Sequence, residues 1–266
     1  MAGALYLGNK KVCPAMVVGG GEQAVMPLFD LVDGELAWKS VITADGLKKI
    51  TKTPFYELSD RSIFRGRSEI EEIYFPDAEL IGEDCRYFLA ECSNLSVVSF
   101  PNVTEIKPSG LFLGCSGCSS LTTFDLSSLE KIGSTGMAAC FLNCSISGVV
   151  SFQNLEYVDD SGLARCFLGT SNKITECRFA KVDYLGSYAL SECFMFNKML
   201  QNIYFNSLKS TSFATSNDFE DMLYGVTGCT VHFPSNLQSV IGGWSDVVGG
   251  FSGTNTTVLF DLPATS

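Results

Sequence analysis

Short strands that end on a large apolar residue recur along this chain at Phe75, Phe100, Leu126, Phe152, Phe179, Phe205, Phe233 and Phe260. The intervals are 25, 26, 26, 27, 26, 28 and 27 residues, so about three quarters of the protein is one unit copied with drift. A period in the twenties is the mark of a solenoid, in which each coil buries its apolar edge only against its neighbours. It also leans function toward binding, because a solenoid displays long ladders of side chains whereas catalysis favours an enclosed pocket.

Aligning the units on that anchor makes the columns legible. Two residues before it stand Ile73, Val98, Phe124, Val150, Cys177, Ile203 and Val231; six after it stand Ile81, Ile106, Ile132, Val158 and Leu185. The alternation up to the anchor is strand periodicity, with the residues one and three before it pointing to the opposite face. A turn follows, closed by Gly82, Gly133 or Gly186. The second half of each unit, such as SYALSECF or DSGLARCF, has helical spacing and predicts a short helix or 3₁₀ turn. The fold class is therefore α/β, one short parallel strand and one short helical or 3₁₀ segment per coil of ~26 residues. Residues 38–262 make about seven to eight coils, preceded by a small β-hairpin head at 1–37 and followed by a tail at 263–266.

The columns resemble a known family. LxxVxFPxVxxIGxxAxxxCxxL, present as LSVVSFPNVTEI and ITECRFAKVDYLGSYALSEC, is similar to the BspA-type leucine-rich repeats of bacteria. The resemblance covers roughly residues 38–262 and implies a leucine-rich-repeat solenoid of the kind found in surface or secreted adhesion-like proteins, with no catalytic motif. The units are longer than the family's common length, and Met137, Leu163 and Leu190 stand where a Phe is usual.

The head has two hairpin signals, Gly8–Asn9 within LYLGNKKVCPAMVV and Asp33–Gly34 within LFDLVDGELAWKSV. Gly19, Gly20 and Gly21 between them read as a swivel, since no helix start or Lys-Ser/Thr pair follows to bind phosphate. The LYLGNKKVCPAMVVGG start is similar to amino termini of tail-associated proteins of phages and prophages of Gram-positive bacteria. That resemblance implies assembly in the cytosol, release by lysis and a final place on a virion or extracellular particle, with residues 1–37 attaching to tail or baseplate proteins. Lys10 and Lys11 lie after the first apolar stretch rather than before it, unlike a secretory signal. The other expectation is a bacterial cell-surface or secreted adhesin.

Composition narrows the partners. A net charge of −11 argues against nucleic acid and permits Ca²⁺-dependent or cationic partners. No apolar run approaches the ~20 residues of a spanning helix, so no membrane insertion is expected. Eleven cysteines invite a disulfide or zinc reading, but Cys92, Cys118 and Cys144 share one column of the repeat and Cys140, Cys166 and Cys193 another. A column of small, readily buried thiols fits a tight contact between coils. Cys115 and Cys118 form a lone CxxC without a second ligand pair, so no metal and no cofactor is expected.

No enzyme is expected. His232, the single histidine, sits on an outward strand position, and Asp159–Asp160 read as turn and cap residues. Asn217, Asp218, Glu220 and Asp221 lack the alternating ligands of a Ca²⁺ loop and read as a solvated helix start. A glycan-cleaving site would need paired acids about 5–10 Å apart, and no aligned acidic column stands out to supply one. The binding candidates are the outward residues one before the anchor, Tyr74, Asp125, Arg178, Tyr204 and His232, with Tyr157 and Tyr184 extending the aromatic strip. Rigid aromatics among polar groups suit recognition of a host or bacterial cell-surface protein or glycan, as a monomer or an oligomer.

Overall fold

The computed structural model describes residues 64–241 and 252–265 apart from 77, 84, 170 and 213–215, together with the backbone of six short strands between 5 and 58. The repeat forms a parallel β-solenoid with three sides. The first side carries the anchor strands in two sheets. One is four-stranded and holds Lys49–Ile50, Glu72–Tyr74, Val97–Ser99 and Thr123–Asp125; the other is five-stranded and holds Ser147–Phe152, Lys173–Phe179, Asn202–Phe205, Thr230–Pro234 and Thr257–Leu262. The second side is a six-stranded sheet of two-residue strands running from Glu57–Leu58 to Tyr184–Leu185. All pairings between coils on these sides are parallel, and Ile73, Val98 and Phe124 stand side by side as the period requires.

The third side differs from expectation. Where the sequence predicts a short helix or 3₁₀ turn per coil, the chain makes a run of overlapping turns. N–H groups alternate in direction: Tyr87, Leu89 and Glu91 donate to Phe112, Gly114 and Ser116 of the next coil, while Phe88, Ala90 and Cys92 donate three residues back within their own. Every fourth residue is left-handed, so one such column runs through Tyr87, Leu113, Ala139, Arg165 and Glu192 and another through Glu91, Gly117, Asn143, Gly169 and Phe196. A left-handed L-residue costs about 1–2 kcal/mol, and the hydrogen bond to the adjacent coil offsets it. A helix would satisfy its N–H groups internally and leave nothing to bind the next coil. The four-residue turn period buries Met137, Cys140, Phe141 and Cys144, which is i, i+3, i+4 and i+7. That spacing imitates an amphipathic helix, and so the sequence pattern misleads.

The core is two files of aromatic rings. Phe75–Phe100 stack at 5.8 Å, and Phe152, Phe179, Phe205 and Phe233 continue the anchor file at 5.4, 4.9 and 5.2 Å. Phe141, Phe167 and Phe194 form the second at 5.4 and 5.5 Å. Leu126 interrupts the first file, and Phe124, two residues earlier on the same strand, fills the gap by stacking on Phe141 at 4.5 Å. The first side divides into its two sheets at this point, where Gly148 takes φ +77° and the next pairing shifts register. The last anchor, Phe260, is half-buried, unlike the others.

The thiol columns are formed as expected. Cys92, Cys118, Cys144, Cys140, Cys166 and Cys193 are all buried as free thiols. The first three also have an unforeseen role: each donates S–H to a carbonyl of the preceding coil, Cys92 to Phe64, Cys118 to Leu89 and Cys144 to Cys115, at 2.9–3.1 Å. In the following coil Asn172 takes over, its amide reaching the Phe141 and Phe167 carbonyls. Because the Cys115 carbonyl can accept from a hydroxyl, Cys144→Ser should cost only about 1 kcal/mol, the net loss of apolar burial against a kept hydrogen bond. Urea unfolding of the variant measures it.

Both hairpins expected near the start are present as antiparallel pairs, with Leu7 opposite Lys10 and Val32 opposite Glu35. The glycine swivel at 19–21 lies outside the described residues. At the other end the stretch expected to be a tail is tied down through residue 265: the Thr265 hydroxyl donates to the Leu208 carbonyl, and Asn236 bonds its backbone.

Candidate functional site

The seven residues expected to bind fall into separate groups. Arg178, Tyr204 and His232 come together. They occupy the same register on three consecutive strands, since Arg178 pairs with Tyr204 and Tyr204 with His232. The Tyr204 and His232 rings stack at 4.3 Å and 13°, and the Arg178 guanidinium lies 5.9 Å from the Tyr204 centroid. Flanking groups hold both ends. Arg178 is ion-paired with Glu176; His232 Nδ1 lies 2.9 Å from Asp261 Oδ2, and its Nε2 lies 3.3 Å from Asn202 Oδ1. With both ring nitrogens engaged, His232 is a positioned rung of the ladder rather than a free base.

The stacking determines what this patch presents. Rings on successive parallel strands lie face to face, so their faces cover each other and their edges point outward. The edges carry a phenol hydroxyl and a guanidinium, which are hydrogen-bonding groups, whereas stacking on a sugar ring needs an open aromatic face.

The other candidates stand apart. Tyr74 is exposed at 42% but lies on the other sheet of that side, beyond the division at Leu126. Asp125 shares that sheet and is occupied by the fold: its carboxylate accepts from the Ser99 hydroxyl at 3.1 Å and the Ser127 N–H at 3.0 Å. Tyr157 and Tyr184 do not extend the strip. They belong to the six-stranded sheet on the second side of the coil, because they follow the anchor by five residues rather than preceding it. There they stack on each other at 4.3 Å and 4°, with Lys131 Nζ 5.5 Å from the Tyr157 centroid. The Tyr157 phenol is pushed up to about 12 by partial burial and the neighbouring Asp159.

Several residues that matter were not singled out from the sequence. Asp261 holds His232 from the last strand, and it was legible only as one more residue after Phe260. Lys131 precedes Tyr157 by 26 residues, and that interval was the available signal. An aligned acidic row also exists: the backbone bonds from Glu130 to Thr104, Glu156 to Glu130 and Asp183 to Glu156 place these residues in one column, and all three carboxylates are exposed. They stand on an open face rather than in a cleft.

Asp159 and Asp160 serve the turn as expected, with Asp159 Oδ1 accepting from the Asp160 N–H and Asp160 Oδ1 from the Ser187 N–H. The acidic stretch opens a 3₁₀ helix at Ser216–Phe219, but Asp218 is buried at 1% rather than solvated. Its backbone carbonyl accepts from the Leu190 N–H, which draws the residue into the stack of coils. Among the described residues no group of three or more His, Cys, Asp or Glu is placed to hold a metal, and no helix is long and apolar enough to cross a membrane.

No family model and no curated protein matches the chain. Among solved structures, a leucine-rich repeat protein from Bacteroides ovatus is similar at 15% identity with a TM-score of 0.33, over 77% of this chain and 68% of that one. The solenoid itself rests on the strand register of this chain.

Proposed function

We propose that this chain is a non-enzymatic recognition protein that engages its partner through the Arg178–Tyr204–His232 file. The observation that carries the reading is that file itself: three large polar side chains on consecutive strands, prealigned by stacking and fixed at both ends by Glu176 and by Asp261 with Asn202. Aromatic and arginine side chains held rigidly give contact area at low entropic cost. Outward edges favour a protein partner on a cell surface over the faces of a glycan.

The biological setting that fits is host binding by a phage tail or a phage-tail-like particle. Its support is the similarity of the opening residues to tail-associated proteins; the hairpins at 5–12 and 29–38 would then attach the protein to the particle. The repeat columns, through their likeness to BspA-type repeats, support a second reading, a surface or secreted bacterial adhesin. Both are tested by incubating the purified full chain with a panel of Gram-positive cells and, separately, with tail particles, followed by sedimentation. The first reading expects binding to cells and to particles. Binding to cells alone supports the adhesin, and binding to neither overturns both.

A further inference from the structure

Some polar atoms of the Arg178–Tyr204–His232 file are taken up by the fold and others are not. Asp261 and Asn202 engage the two ring nitrogens of His232. Glu176 accepts the Arg178 Nε–H. Among the described residues no hydrogen bond reaches the two terminal nitrogens of the Arg178 guanidinium or the Tyr204 hydroxyl. Those terminal nitrogens form a planar fork of donors, separate from the Nε that Glu176 holds. The strands on both sides are in place, Ser147–Phe152 and Asn202–Phe205, and the Arg178 side chain is still 55% exposed. Its in-register neighbour on the first of them is Ser151, itself exposed and too short to cover a guanidinium. The charge of this sheet also differs from that of the chain. Its strands carry Lys173 and Arg178 against Glu176 and Asp261, a balance of zero in a chain of −11.

We propose that the Arg178 fork and the Tyr204 hydroxyl are the seat of a carboxylate on the partner protein, an exposed Asp or Glu side chain. The assignment rests on the recognition role proposed for the file and names the chemistry it reads. A carboxylate has two coplanar acceptor oxygens that match the guanidinium fork, so it takes two parallel N–H bonds. The Tyr204 O–H, on the next strand in the same register, supplies a further donor. Glu176 and the Tyr204 ring fix the guanidinium before the partner arrives, which lowers the entropy lost on binding. Glu176 also has a cost, since its charge opposes that of an incoming carboxylate. A chain of −11 repels acidic peptides as a whole, so saturable binding of one must come from a local set of donors.

The test is calorimetric titration of the full chain with hexa-glutamate, with hexa-glutamine as the neutral control and an oligo-glucuronate as an acidic sugar. The expected result is saturable binding of hexa-glutamate and none of hexa-glutamine. Arg178→Lys keeps the charge and loses the fork, and should weaken binding about tenfold. Tyr204→Phe loses only the hydroxyl and should weaken it about threefold to fivefold. Glu176→Gln keeps an acceptor for Nε and removes the opposing charge, so it should bind more tightly. Tyr74→Ala, on the other sheet, should bind as the original does. No saturable binding of hexa-glutamate, or equal affinity in Arg178→Lys, would overturn the proposal. Preference for oligo-glucuronate would assign the carboxylate to a glycan and overturn the protein source. The two levels fail separately. Cells that bind the original chain when hexa-glutamate does not would sink the carboxylate seat alone, and hexa-glutamate bound through Arg178 with no cell bound would sink cell recognition alone.

Discussion

Raising the pH from 8 to about 10 should unfold this protein in a steep, cooperative transition. Eight buried thiols, Cys92, Cys115, Cys118, Cys144, Cys166, Cys177, Cys193 and Cys229, are held above the ordinary thiol range, chiefly by burial and, at Cys115, by its hydrogen bond with Cys140. Cys92 is pushed up to about 11 and Cys229 to about 12. An acid whose folded pKa is raised contributes its full stability below the unfolded value, near 8.5 for a thiol, and loses it as pH climbs toward the folded value. Each such thiol removes about 1.4 kcal/mol per pH unit in that window. Half of the eight acting together would remove roughly 5–6 kcal/mol per unit, against a typical total of about 5–15 kcal/mol. Urea unfolding under reducing conditions at pH 7, 8, 9 and 10 should show a plateau to about 8.5 and then a steep decline. A flat profile to pH 10 would mean that these thiols are not buried.

Phe167→Ala should cost about 4 kcal/mol, the upper part of the range for deleting a buried aromatic. Phe167 is the hub of the interior. Its ring lies 5.4 Å from Phe141 and 5.5 Å from Phe194, and it also borders Phe124 and Phe152. It therefore joins the two aromatic files beside the place where the first side divides into two sheets. A solenoid is held together by nearest-neighbour contacts, so a cavity at that joint weakens the coupling between its halves. The variant should unfold at lower urea and with a shallower slope, as the halves come apart separately. Phe260→Ala, at the half-buried end of the file, should cost about 1–2 kcal/mol and leave the slope unchanged. Equal losses at the two positions would contradict the packing described.

The parallel strands were legible because their signal is local and repeated: an apolar residue at every second position, ending on Phe, at a nearly constant interval. The coil through Lys49–Ile50 shows the limit of that signal. It pairs in register with Glu72–Ile73, yet the anchor position that follows is Lys52 rather than an aromatic. The third side was misread for a physical reason. Turns that repeat every four residues and helices that repeat every 3.6 bury nearly the same set of positions over two turns, and what separates them is whether N–H groups bond within the coil or across it. No single coil's sequence shows that choice.

For the candidate site, counting from the anchor located Arg178, Tyr204 and His232 on one outward column. It could not show that Asp125 is satisfied by Ser99, since both residues look equally available in a column of letters. Tyr157 and Tyr184 were recognised as equivalents of each other but assigned to the wrong side. Their offset of five residues after the anchor spans the turn between two sheets, and a count of residues does not give the angle of that turn.

The claim that the Arg178–Tyr204–His232 file recognises a cell-surface partner is tested most directly by sedimentation with cells of a strain that binds the original chain. Three single variants, Arg178→Ala, Tyr204→Ala and Tyr74→Ala, are compared, with melting temperatures measured in parallel. All three side chains point away from the core, so the melting temperatures should stay close to the original. The account predicts that Arg178→Ala and Tyr204→Ala each reduce binding at least tenfold, while Tyr74→Ala, on the other sheet, binds normally. Undiminished binding by Arg178→Ala and Tyr204→Ala, with the fold intact, would contradict it.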